Sequence, residues 1–177
     1  MNDDNKFYGK YRGTVSNNID PEFKGRIQVN VSDVLGYVPS SWALPCVPVA
    51  GLPGLQSGMY AVPPPGASVW VEFEHGDPSR PIWTGCFWGS AAEVPLIALA
   101  APPPTPNMVM QTVGQNSITV YGIPGGGITL CCGPIISPTS PRIMITQAGI
   151  LITNGVASIT LVGPVVDINK GALTVLY

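Results

Sequence analysis

Few side chains in this 177-residue sequence could do chemistry, and most of them lie before residue 90. His75, the single histidine, stands between Glu74 and Asp77 in the run Glu74-His75-Gly76-Asp77-Pro78. A general base or a metal ligand needs company, and no second His or Cys pair lies near it in sequence. His-Gly-Asp-Pro is also turn chemistry, which joins two strands. Glu72 and Glu74 are spaced like the paired carboxylates of a glycoside hydrolase. Alternation along a strand would put both on one face, toward solvent or a partner. Cys46, Cys86, Cys131 and Cys132 lack the two-residue gap of a zinc knuckle, and without an export signal they read as small buried apolar groups. Ile123-Pro124-Gly125-Gly126-Gly127 has neither the Lys nor the following helix of a phosphate-cradling loop, so it reads as a turn. Trp70, Phe73, Trp83, Phe87 and Trp88 could stack on bases or sugars, yet no basic groove accompanies them, and barrel core or collar contact is the better reading. No catalytic residue, metal or cofactor is expected.

The elements that hold these residues must be read from a chain short of charge. Charged residues make up 10% of it, against roughly 25% in an average domain. Fourteen of the eighteen precede position 90, and from Val94 onward only Arg142, Asp167 and Lys170 are charged. A lone chain with that second half would aggregate. The net charge of -2 and the lack of a Lys/Arg cluster exclude a nucleic-acid partner. The start, Met-Asn-Asp-Asp-Asn-Lys, has no secretory pattern, so synthesis in the cytoplasm without a signal peptide is expected. The most apolar run, 94–101, meets three prolines and falls far short of the roughly 20 residues of a membrane-spanning helix.

Three segments follow. Residues 1–89 alternate β-rich runs with turns: 7–16, 25–31, 42–49, 69–74 and 81–88, which suit a small five-stranded barrel of the OB type. Residues 90–107 form an Ala/Pro-rich connector, read as extended. Residues 108–177 carry very short strands between Gly and Pro turns, at 117–120, 128–130, 142–146, 150–153, 158–162, 165–169 and 172–176. Most alternate apolar with small polar residues. Ordering roughly 84 residues costs on the order of 120 kcal/mol, and offsetting it takes several thousand Å² of apolar burial. Such thin strands have no second layer of their own to bury against. Copies of the chain supply it, so an obligate, intertwined homo-oligomer is expected. Its packed core would comprise Ile118, Val120, Ile128, Leu130, Ile143, Ile145, Ile159, Leu161, Val166, Ile168, Leu173 and Val175. The fold class is all-β: an N-terminal OB-fold barrel, then a C-terminal intertwined β-helix.

Three stretches of the first segment carry a resemblance: Asp20-Pro21-Glu22 with Gly25-Arg26-Ile27-Gln28-Val29, Ser41-Trp42-Ala43, and the run from Pro65 to Pro81 that continues to Gly85 and Trp88. They resemble the central spike proteins of contractile injection systems, including phage baseplate spikes and the VgrG class of type VI secretion. Ser158-Ile159-Thr160-Leu161, Val166-Asp167-Ile168-Asn169 and Gly171-Ala172-Leu173 are similar to the repeats on which such needles end. The resemblance implies a homotrimeric needle in a virion tail baseplate or other contractile particle. It implies a separate hub protein at the OB-fold end, a PAAR-repeat protein at the tip and transient contact with the target membrane. The histidine-bound iron of some phage tips is not implied, since His75 lies in the barrel. A receptor-binding trimeric fibre or adhesin is the alternative, and a cell-wall-degrading tail enzyme a more distant one.

Overall fold

The computed structural model describes residues 6–101 and 103–175. Met1 to Asn5, read above for a leader, Pro102 of the proline run, and Leu176 of the final strand lie outside them, as does Tyr177. The chain divides into two compact units between Gly89 and Ser90.

The first unit contains strands β1 (Tyr11–Asn17), β2 (Gln28–Asn30), β3 (Leu44–Pro45), β4 (Ala50–Leu52), β5 (Leu55–Gly58), β6 (Ser68–Phe73) and β7 (Pro81–Cys86), with a single helical turn, α1 (Ser32–Leu35). Five of the strands form a sheet in the order β2-β1-β6-β7-β3. An antiparallel bridge between Ile27, just before β2, and Ala43, just before β3, joins the two edges of this sheet. Its two backbone hydrogen bonds, 2.7 and 3.2 Å long, close the barrel. Strand periodicity decides what lies inside. Val69, Val71 and Phe73 of β6 point into a core shared with Val15, Ile27, Val29, Val31, Ala43 and Trp83. The Trp83 indole N–H donates to the Gly25 carbonyl at 3.1 Å, so the largest core side chain leaves no polar atom unpaired. The β4 and β5 strands form a separate hairpin that pairs with no other strand. The sequence reading missed it.

The second unit begins with a 3-10 turn at Ala91–Glu93 and the short helix α2 (Leu96–Leu99), so the connector is not extended throughout. Asn107 anchors it: the side-chain amide donates to the Ile97 carbonyl at 2.7 Å and its oxygen accepts from the Gly122 N–H at 3.1 Å. Strands β8 (Met108–Gln111), β9 (Ser117–Val120), β10 (Ile128–Cys131), β11 (Arg142–Thr146), β12 (Gly149–Thr153), β13 (Ser158–Val162), β14 (Val165–Ile168) and β15 (Leu173–Val175) follow. Each pairs antiparallel with the next in sequence, giving one eight-stranded meander. Glycine is required where the meander is tightest. Gly149 has φ +153°, and a Cβ there would run into the Leu161 carbonyl of the neighbouring strand. At about 4.8 Å per strand the eight strands stack over roughly 34 Å. Within one chain this is a sheet; helical winding would belong to an assembly.

Candidate functional site

The residues that first looked chemical are held apart or already committed. Glu72 is on β6 and accepts from the Lys10 ammonium at 2.8 Å, while Glu74 lies beyond the strand end, in a 3-10 turn, and pairs with Arg80 at 2.8 Å. They therefore do not share a strand face, contrary to the sequence expectation. His75 is exposed within that turn, at φ +54°. Asp77 accepts from the hydroxyl and N–H of Ser79, which together hold its carboxyl below its ordinary pKa. Phe73 and Trp83 belong to the core, whereas Trp70 packs on Phe87 outside it, 4.8 Å between ring centroids, with the Arg12 guanidinium 5.4–5.7 Å from both rings. Trp88 is exposed. Of the cysteines only Cys131 is buried; Cys46, Cys86 and Cys132 are exposed, which corrects the expectation that all four pack inside. Cys132 follows the last residue of β10, so it lies past the strand that buries Cys131. Among the described residues no group of three His, Cys, Asp or Glu side chains is placed to hold a metal ion.

The distinctive surface is on the meander. Directly opposed residues of neighbouring strands point to the same face, so strand register gives the side-chain rows without further assumption. One row runs Met110, Ile118, Leu130, Ile143, Ile152, Ile159, Ile168, Leu173. Beside it runs Met108, Val120, Ile128, Ile145, Ile150, Leu161, Val166, Val175. Both cross all eight strands without one polar interruption. All twelve residues named from the sequence fall in these rows. Met108, Met110, Ile150 and Ile152 complete them and were not named. Met108-Val109-Met110 and Ile150-Leu151-Ile152 are unbroken apolar runs, so the sequence alone did not say which of their residues share the row face.

Exposure on the two faces is inverted relative to an ordinary domain. Met108, Met110, Ile118, Val120, Ile128, Leu130, Ile145, Ile152, Ile159, Leu161, Leu173 and Val175 are between 36% and 73% exposed in the single chain. Ile143, Ile150, Val166 and Ile168 are half-buried. On the opposite face Ser117, Thr119, Thr129 and Cys131 are buried. Further along that face Ser158, Thr160, Val162, Val165, Asp167 and Lys170 line an open groove of about 390 Å³. Arg142, also on that side, is committed to backbone: its guanidinium donates to the carbonyls of Ile135, Ser137 and Ser140, which gathers the 134–141 loop around it. An uninterrupted apolar ribbon that its own chain leaves open is an assembly surface.

Comparison with known families agrees with this division. Residues 11–88 match the model of the type VI secretion system/phage-baseplate injector OB domain, and residues 107–174 match that of the phage baseplate V C-terminal trimerisation domain. No curated protein matches the chain.

Proposed function

Because this chain belongs to the phage baseplate V family, a structural baseplate protein with an injector OB domain and a trimerisation domain, we propose that it forms the central spike of a contractile tail or related injection machine. Three copies place their meanders around one axis, with the Ile118 and Val120 rows inward and the Thr/Ser face outward. A hub protein binds the OB units, and the trimerised meanders are the part that meets the envelope.

The carrying observation is the pair of open apolar rows in the very segment that matches a trimerisation domain. Fully burying a large aliphatic side chain is worth about 1.5–3 kcal/mol, so covering sixteen that are roughly half exposed gives on the order of 10–25 kcal/mol per chain. A trimer takes two associations at an estimated 4–15 kcal/mol each, about 8–30 kcal/mol in all, against roughly 30–75 kcal/mol for three chains, so burial wins. No catalytic group is needed in this reading. Force comes from contraction elsewhere, and the needle must be stiff and easy to desolvate. A continuous backbone ladder supplies stiffness. Beyond residue 93 the chain has only Arg142, Asp167 and Lys170 to desolvate, with the Arg142 guanidinium bonded to backbone carbonyls.

Sedimentation equilibrium of the full chain tests the assembly: three times the 18.5 kDa chain mass is expected, and a stable monomer would refute it. Puncturing is tested in particles. Those carrying an assembly-defective spike should adsorb to cells and contract yet fail to deliver, and delivery at normal frequency would remove the role.

A further inference from the structure

Two surfaces of the OB unit are unexplained by its own fold. One is the 18–26 loop. The buried Asp20 carboxylate accepts from the N–H groups of Glu22, Lys24 and Arg26 and from the Arg26 guanidinium at 2.7 and 3.0 Å. Glu22 in turn pairs with Lys24 at 2.6 Å and Arg26 at 2.9 Å, and the guanidinium lies 5.6 Å from the Trp42 ring centroid. The loop is thus rigid and its charges are internally matched. What it holds out is apolar: Ile19 is 82% and Phe23 86% exposed. Phe23 also has φ +54°, a backbone conformation unfavourable for a bulky residue and kept here by the bracing around it.

The other surface is the β4–β5 hairpin. All its strand residues are exposed, including Leu52 and Leu55 at the turn, with Met59 and Tyr60 exposed just after it. It lies within a stretch, 34–71, that contains no Asp, Glu, Lys, Arg or His. A two-stranded hairpin without a third strand or a covering layer is marginal in water at best, so something should cover it.

We propose that Ile19 and Phe23 of one copy pack on the β4–β5 hairpin of the neighbouring copy, locking the three OB units into a ring. This rests on the trimer reading. A three-fold ring needs two different surfaces per chain, and a rigid apolar knob with an uncharged hairpin is such a pair. Size selects the occupant. Two side chains and one hairpin offer a few hundred Å², well below the roughly 1,000 Å² that a free partner protein requires. A neighbouring copy is already tethered through the trimerisation domain at an effective concentration of about millimolar, where so small a contact is enough.

The test uses full chains with Cys46→Ser, Cys86→Ser and Cys132→Ser. A Phe23→Cys chain and a Leu55→Cys chain, differently tagged, are co-expressed and oxidised. A disulfide-linked dimer carrying both tags is expected, with none when either cysteine is present alone. Its absence in a sample that sediments as a trimer overturns this contact and leaves the trimer standing; sedimentation as a monomer overturns both. As a second measurement, Phe23→Asn keeps a residue that accepts positive φ while removing the ring. In the intact trimer it should speed hydrogen exchange of the β4–β5 amides roughly tenfold, equivalent to about 1.4 kcal/mol of lost cover. Unchanged exchange would equally defeat the proposal.

Discussion

At the residue scale the chain's strongest electrostatics serve architecture. The Arg26 guanidinium, followed by the N–H groups of Glu22, Lys24 and Arg26, holds the Asp20 carboxyl far below the usual carboxylate range against the opposing effect of its burial. A carboxyl depressed in the folded state contributes stability that is complete above its unfolded pKa of about 4 and is lost as pH falls toward the folded value. Thermal melts followed by tryptophan fluorescence, all of it from the OB unit, should therefore lose midpoint temperature below about pH 4, and Asp20→Asn should both lower the midpoint at neutral pH and flatten that acid dependence. An unchanged acid slope in the variant would show that another group sets it. Arg142 plays the corresponding part in the second unit through three backbone carbonyls. Hydrogen bonds from a charged donor contribute about 1.5–3 kcal/mol each when their loss leaves acceptors unpaired. Arg142→Met, which keeps most of the stem, should cost about 2 kcal/mol or more. Limited proteolysis should then cut within 134–141 before anywhere else in the unit.

At the element scale, strands were legible where two signals coincided: apolar alternation, and Gly or Pro on both sides. Ser117–Val120, Arg142–Thr146 and Ser158–Val162 have both, and their bounds in the structure are those read from the sequence. Met108–Gln111 is apolar but not alternating, and it follows closely on the proline run, which masked its start. Ala50–Leu52 and Leu55–Gly58 have turn residues without β-branched ones, and a Cβ at Gly51 would approach the Ser57 backbone within 2.7–2.9 Å, so side-chain propensity could not announce that hairpin. The exposure of Cys46, Cys86 and Cys132 was hidden for a related reason. Composition says that cysteine is usually buried, whereas Cys46 and Cys132 fall just past the ends of β3 and β10 and Cys86 is the last residue of β7. For the candidate interface, period two already separated the faces, and cross-strand register aligned the separate pairs into continuous rows. This yields a face-specific prediction. Leu161→Asp puts a carboxylate into the inward row of every copy, where burial costs several kcal/mol per chain, and should abolish the trimer. Thr160→Lys, one residue away on the other face and directly across from Asp167, should leave it intact. Size-exclusion chromatography with light scattering distinguishes them, and equal behaviour would mean that the inward face has been misassigned.

At the scale of the whole molecule, charge and apolar surface are divided along the chain. The OB unit carries fourteen of the eighteen charged residues and a core complete within one copy, while the second unit is nearly uncharged and lacks such a core. The first has its apolar core inside its own barrel; the second leaves its apolar rows open in the single chain and matches a trimerisation domain. Period and register show an open apolar ribbon, but they are blind to how many copies cover it, because two or four sheets would also hide it. The number comes from the match to a trimerisation domain. An interface built from these rows contains no ion pair and no titratable group, which sets its response to solvent. Raising salt to 1 M shortens the screening length to about 3 Å and weakens exposed ion pairs, but it leaves apolar burial in place. The trimer should therefore keep its mass from low salt to 1 M and between pH 5 and 9, while contacts made by the charged OB surface, including any with a hub, weaken over the same salt range. Analytical ultracentrifugation across that series checks both halves. Salt-driven dissociation of the trimer itself would place its cohesion in the charged barrel and not in the Ile/Leu/Val rows.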